Sequence, residues 1–298
     1  MKTDTYRKIR QIGEGGNGAV WLVEDNKTGQ QKAMKLILPE ATLDKDKKAL
    51  FIRECRYACQ LKHPNIVEHY VFNKGKNTYL LMEYCQGGNV NDLIRRNPGI
   101  FWDDLTRMDE RIQISTRIIL QALEGLEYAH QKKVVARLAD GSTLTVKGIV
   151  HRDFEPGNIL LTDTSLYPIA KVADFGLAKA FLTAGLTKYN YTDDREGKPW
   201  FIPRQQVIDL RNVKPEVDVW AAAASYYYLL TGYYPKNIIG ALDPFEASLD
   251  EEPVPILIRN PRIPVELAKV IDAALRERPQ IGIQTAGELK EAIIKITK

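Results

Sequence analysis

Asp153, Asn158 and Asp174 are the residues best suited to chemistry in this 298-residue chain. They lie in His151-Arg152-Asp153-Phe154-Glu155-Pro156-Gly157-Asn158 and, further on, in Asp174-Phe175-Gly176. Carboxylate and amide oxygens hold hard cations. Such cations suit a reaction that builds negative charge on phosphoryl oxygens. Far upstream, Gly13-Glu14-Gly15-Gly16-Asn17-Gly18-Ala19-Val20 is rich in glycine, which lets a backbone approach phosphates and turn its N–H groups toward them. Alone that pattern is weak, because an ordinary glycine hairpin carries the same residues. A dinucleotide-binding reading needs a helix directly afterwards, whereas Trp21-Leu22-Val23-Glu24 has the pattern of a strand. Lys35 and Glu54 add a cation and an anion; taken singly, each is an ordinary surface charge.

The elements that must position these residues change character along the chain. Short apolar runs at Tyr6 to Gly13, Val20 to Glu24, Gln31 to Leu38, Ile66 to Phe72 and Thr78 to Glu83 predict strands, with turn residues between them. Asp44 to Leu61 carries apolar residues near a helical period and stops at His63-Pro64-Asn65. From Gly87 onward the spacing is helical, most clearly at Arg111 to His130, then at Pro264 to Leu275 and Thr285 to Lys298. A strand-rich part followed by a helix-rich part predicts an α+β protein in two lobes. Between the long helix and the catalytic run, two β-prone stretches flank Asp140-Gly141, a strong hairpin signal. A plain surface hairpin and a docking element for a regulatory partner are both open there.

Composition narrows the function classes. Hydrophobic residues make up 44% and charged residues 27%, ordinary for a chain with a full core. A net charge of +4 points to no nucleic-acid partner. The longest uncharged stretch runs from Val219 up to the charge of Lys236, too short and too polar for a membrane span, and predicts a buried helix. The polar start predicts no signal peptide. Three cysteines argue against a disulfide framework and for a reducing, cytoplasmic setting. Cys55 and Cys59 share a predicted helix face, where reduced thiols are the plain reading and a metal would need further ligands.

In their order and spacing these motifs resemble the protein kinases, and the resemblance covers Tyr6 to about Ile296. The chain is identified as a member of the eukaryotic-like (Hanks-type) bacterial serine/threonine kinases, in a group whose activation segment ends Pro203-Arg204-Gln205-Gln206. The resemblance implies a single kinase domain over 1–298. Its N-lobe (1–84) has a five-stranded antiparallel sheet and one helix, and its C-lobe (85–298) is mostly helical, with a hairpin insertion at about 132–148. It implies ATP and Mg²⁺ as cofactors and a protein hydroxyl as acceptor. Lys35 holds the α/β-phosphates and Glu54 fixes it; Asp153 takes the substrate proton; Asn158 and Asp174 ligate metal. Gly13, Gly15, Gly18, Val20, Ala33, Glu83, Cys85 and Leu160 form the nucleotide site, with Met82-Glu83-Tyr84-Cys85 as gatekeeper and hinge. Asp218-Val219-Trp220 matches the helix that braces the catalytic loop. Arg152 implies control by phosphorylation of the activation segment, with Thr183, Thr187, Tyr189, Tyr191 and Thr192 as candidate sites. Asn89 and Gly157 predict no strong preference for basic substrates.

Three positions depart from the family pattern. Glu155 stands where serine/threonine kinases carry a lysine that meets the γ-phosphate, and Gly157 where tyrosine kinases carry an arginine. A carboxylate about 4 Å from a phosphate, at an effective dielectric near 20, exchanges roughly 4 kcal/mol of attraction for repulsion. Lys198 stands where the usual threonine would contact that lysine. Two readings are open: Lys198 pairs with Glu155 and returns a catalytic cation, or Glu155 marks a pseudokinase or inactivated form that binds nucleotide as a scaffold. Third, Ile202-Pro203-Arg204 replaces Ala-Pro-Glu, and Gly282 falls where its arginine partner would sit. Both members of that ion pair are therefore expected to be absent.

Overall fold

The computed structural model describes residues 5–15, 18–36, 55–74, 78–137, 143–175, 198–209 and 212–297. Five strands open the chain: β1 (Tyr6–Gly15), β2 (Gly18–Asp25), β3 (Gln31–Leu36), β4 (His69–Lys74) and β5 (Thr78–Met82). They form one antiparallel sheet in the order β1-β2-β3-β5-β4. In β3 three successive residues are buried, so both faces of the sheet are covered there. Met34 packs with Val23, Tyr79 and Leu81 on one side, while Ala33 faces the opposite cluster. The first part of the predicted 66–72 strand does not join this sheet. Val67 N–H donates to the Val172 carbonyl and Val172 N–H to that of Asn65, so these backbone groups are paired with a different strand.

The helical part is built on α1 (Val90–Arg96), α2 (Met108–Gln131), α3 (Arg204–Ile208), α4 (Glu216–Thr231), α5 (Pro244–Asp250), α6 (Ile256–Arg259), α7 (Val265–Leu275) and α8 (Ala286–Thr297). An Asn89–Asp92 capping box starts α1. Helix α2 buries Ile114, Ile118, Ile119, Ala122, Leu123 and Leu126 on one side. Gly125 lets the loop before β4 come close, since a Cβ there would sit 2.5 Å from the Asn65 carbonyl oxygen. Helix α4 is buried on nearly every side, as its uncharged run from Val219 onward predicts, and closes on Gly232 in the left-handed region.

Strands β6 (Lys133–Arg137) and β7 (Thr143–Lys147) form the expected hairpin, and its Asp140-Gly141 tip lies outside the described residues. Val134 is buried and Val135 exposed. The side-chain amide of Gln60 accepts from Val135 N–H at 3.0 Å and donates to its carbonyl at 3.4 Å, tying the hairpin to the segment after helical residues 55–58. Strands β8 (Ile159–Leu161) and β9 (Ala170–Val172) pair as a separate two-stranded antiparallel sheet. Cys55, Cys59 and Cys85 form no disulfide with one another. No group of three His, Cys, Asp or Glu among the described residues could hold a metal.

Arg204 and Gly282 cannot form the family's ion pair. A buried ion pair does brace the end of the activation segment, made by different residues. Lys236 Nζ lies 2.8 Å from Glu277 Oε2 and 2.9 Å from Oε1, with both side chains sealed from solvent. Lys236 also donates to the Ser248 carbonyl. Glu277 accepts from Arg204 N–H at 2.8 Å, and the Gln205 amide donates to the Glu277 carbonyl. Gly282 has no room for a side chain, because a Cβ would fall 1.9 Å from the Ala273 carbonyl oxygen. Burial pushes Glu277 up and Lys236 down from their ordinary pKa values, and each partner opposes the shift of the other. Removing one member strands the other, so Lys236→Met should lower unfolding free energy by roughly 3–5 kcal/mol. In chemical denaturation, Lys236→Met/Glu277→Leu should recover much of that loss.

Candidate active site

The catalytic run is shaped by one carboxylate. Asp218, buried on α4, accepts from His151 N–H at 2.7 Å, from Arg152 N–H at 2.8 Å and from the His130 ring at 2.8 Å. Burial alone would push its pKa up; the hydrogen bonds from His130 and His151 outweigh that and hold it below its ordinary value. Arg152 takes a positive φ of 65°. That costs about 1–3 kcal/mol, and two hydrogen bonds to a charged acceptor at roughly 1.5–3 kcal/mol each offset it. The Arg152 carbonyl is held in turn by the Gln206 amide at 2.7 Å.

The His151 ring then couples the run to Asp174. Asp153 N–H donates to Nδ1 at 3.3 Å, which leaves Nε2 to donate to the Ala173 carbonyl at 2.8 Å. The ring also packs on Phe154 and Phe175, with centroids 5.8 Å and 5.0 Å away. Asp174 has a positive φ of 50°. Its Oδ1 meets Lys35 Nζ at 2.9 Å, and the Lys35 ammonium is the main cause holding the Asp174 carboxyl below its ordinary pKa. Asn158 donates its amide to the Asp153 carbonyl at 2.6 Å and to Asp153 Oδ2 at 3.2 Å. Its amide oxygen is thereby the atom left for a cation.

Against this polar floor packs an apolar cluster. Ala33, Val67, Met82, Cys85 and Ala173 form one cluster, with Ile12, Val20, Tyr84 and Leu160 packed against it. Four residues expected to line a nucleotide site, Val20, Ala33, Cys85 and Leu160, therefore meet. Gly13 pairs with Val20 and Gly15 with Gly18 across the β1–β2 turn. The Glu83 carboxylate accepts from Lys171 Nζ at 2.9 Å and from Glu68 N–H at 3.2 Å, so it braces β9 and the approach to β4. Ile12, Val67 and Ala173 were not anticipated. Ala173 was legible as the neighbour of Asp174, but Val67 and the Lys171–Glu83 pair carry no local signal.

Glu155 and Lys198 do pair. Lys198 Nζ sits 2.6 Å from Glu155 Oε1. Burial raises the Glu155 pKa, Lys198 pulls it back, and Asp153 adds to the rise. Glu54 and the candidate phosphorylation sites Thr183, Thr187, Tyr189, Tyr191 and Thr192 lie outside the described residues, as does Gly176.

A two-lobed arrangement with an apolar cluster beside a lysine, two aspartates and an asparagine defines a phosphotransferase class of site. Residues 6–280 match the protein kinase domain family, and the chain belongs to it. It is 28% identical over 297 residues to the serine/threonine-protein kinase PknA of Mycobacterium tuberculosis, covering 98% of this chain and 61% of that protein. It is 26% identical to PknB of Mycobacterium leprae, covering 99% of this chain and 43% of that one. The chain thus spans less than two thirds of these curated relatives. In structure it resembles the kinase domain of Mycobacterium tuberculosis PknI, with a TM-score of 0.68 and 20% identity, covering 99% of this chain and 96% of that one. This likeness shows the fold.

The donor set fits the magnesium and triphosphate that the family uses. Asp174 and Asn158 offer a carboxylate and an amide oxygen, and Mg²⁺ takes one or two protein oxygens and completes its shell with phosphate and water. When bound, the ion neutralises developing phosphoryl charge. Close by, His69 is buried with Nδ1 lacking a hydrogen-bond partner among the described residues. Burial lowers its pKa from 6.5 to about 4; Asp174 and Glu83 oppose the shift and Lys35 adds to it. From pH 6.5 down to about 4 the unfolded chain binds a proton that the folded one refuses. Stability should fall across that window by up to roughly 3 kcal/mol from this residue. Denaturant titrations at several pH values should show the wild-type slope flattened in His69→Leu.

Proposed function

We propose that this domain transfers the γ-phosphate of Mg-ATP to serine and threonine hydroxyls on proteins. The observation that carries the reading is the convergence of Lys35, Asp174, Asp153 and Asn158 beneath the apolar cleft. In this reading the cleft takes the adenine, the backbone of Glu83 and Cys85 meets its edge, and the Gly13–Gly18 turn covers the phosphates. Lys35 steadies the α/β-phosphates with Glu54 behind it. Asp153 accepts the hydroxyl proton, and Asn158 and Asp174 would hold Mg²⁺. One kinase domain spans the chain, with the lobes meeting at Tyr84–Cys85. The pseudokinase alternative is not favoured, because a scaffold has no chemical need for the lysine, both aspartates and the asparagine together, and because Glu155 is neutralised by Lys198.

Two finer readings accompany this. The activation segment is an acceptor for the domain's own activity, and the hairpin at 132–148 receives a regulatory partner. The latter is supported by its exposed Val135 and its tie through Gln60 to the segment after helical residues 55–58. The lack of any disulfide among the three cysteines supports a reducing, cytoplasmic setting, and no described helix is long and apolar enough to cross a membrane.

Incubation with Mg-ATP followed by phosphosite mapping tests the proposal. Phosphoserine or phosphothreonine should appear on the chain or on an added protein substrate. Asp153→Asn should reduce the rate by roughly 10²–10⁴ while nucleotide still binds. Phosphate confined to tyrosine, or a wild type no faster than Asp153→Asn, would reject it.

A further inference from the structure

We infer that Lys198 brings to the transferring phosphoryl group the cation that the catalytic loop lacks, and that Glu155 holds it in place. The site is then complete only when the end of the activation segment is docked. This rests on the kinase reading and goes beyond it by moving a catalytic charge from one segment to another.

The two side chains differ in exposure. Glu155 keeps only 9% of its side-chain surface and forms a fixed wall, whereas Lys198 keeps 52% and faces open space. An ammonium has three N–H donors. The 2.6 Å contact to Glu155 Oε1 uses one of them, which leaves two for phosphoryl oxygens without loss of the anchor. In the transfer, the acceptor hydroxyl oxygen bonds to the γ-phosphorus as the bond to the β–γ bridging oxygen breaks. The electron pair leaves with the nucleoside diphosphate, and the proton passes to Asp153. In the transition state the γ-phosphoryl charge is spread over its three equatorial oxygens, and that is where the Lys198 donors act. Without Lys198, Glu155 would face both Asp153 and the phosphates as an uncompensated anion.

The backbone of Lys198 is fixed by the Pro199-Trp200-Phe201 turn on its C-terminal side. Phe201 N–H donates to the Lys198 carbonyl at 2.9 Å, and Pro199 and Phe201 are buried. The Trp200 ring stacks on Tyr234, and Phe201 packs edge-on against Tyr228 and Tyr234. Tyr228 lies on α4, the helix whose Asp218 shapes the catalytic run. One rigid helix therefore sets the distance between Asp153 and Lys198. Lys198 is a catalytic residue in this scheme, and Glu155 is a positioning residue.

Steady-state kinetics on the whole chain, with thermal midpoints and nucleotide affinity measured alongside, test the idea. Lys198→Thr should lower kcat by roughly 10²–10³ with little change in nucleotide affinity. Glu155→Lys/Lys198→Thr, which restores the family's arrangement, should regain most of the lost rate. Lys198→Arg should stay within about tenfold of wild type, and it settles the matter if the double variant does not fold. Glu155→Gln should lower kcat more than it changes KM for ATP. Wild-type kcat in Lys198→Thr would overturn the inference and leave the kinase reading intact. So would a folded double variant, or a folded Lys198→Arg, no faster than Lys198→Thr. A wild type as silent as Asp153→Asn would instead overturn the kinase reading itself.

Discussion

The Asp218 carboxylate is the constraint on which the site depends. It gathers two consecutive backbone N–H groups and a histidine ring at 2.7–2.8 Å from the floor of the helical lobe. Those contacts oblige Arg152 to adopt a left-handed conformation, which turns Asp153 toward the cleft. The rest of the polar floor is reached by relay. His151 bonds to Asp153 N–H and to the Ala173 carbonyl, which places Asp174 under Lys35. A buried carboxylate of this kind is stable because each charge-assisted hydrogen bond contributes more than a neutral one. Its loss would leave two backbone donors unpaired in a water-free interior.

The departures from the usual kinase pattern prove to be related exchanges. A lysine and threonine become Glu155 and Lys198, which remain in contact with the charge carried by the opposite segment. The usual glutamate–arginine brace becomes Lys236 and Glu277, with the Pro203-Arg204-Gln205-Gln206 turn feeding hydrogen bonds into it. In both cases an anion stays paired and buried. Burial of an isolated charge costs too much for one member to change alone. Gln206 adds a direct link from this turn to the Arg152 carbonyl, so activation-segment end and catalytic loop are bonded as well as packed.

Much of the fold was legible because its signals are local. The glycine-punctuated strands, the long amphipathic α2 and the apolar run of α4 each follow from the pattern within one window. Val20, Ala33, Cys85 and Leu160 were traceable to one cleft through the family resemblance, and they do meet. The segment before β4 was read too simply as one strand. Its β-prone residues pair partly with β9, more than a hundred positions away, and no window contains both. The Lys236–Glu277 brace was missed for the same reason, since neither residue sits in a motif that names its partner.

By itself the sequence determined the order of elements, the positions of the candidate catalytic carboxylates and the presence of two oddly charged residues, Glu155 and Lys198. Residue types, turn chemistry and hydrophobic spacing suffice for those properties. Only the tertiary structure decided that the two odd charges neutralise each other, that a second exchanged pair holds the activation-segment end, and that α4 aligns both with Asp153. Such facts depend on distances between residues remote in the chain. Whether a buried charge is an injury or a working part is set by what lies within a few ångströms of it.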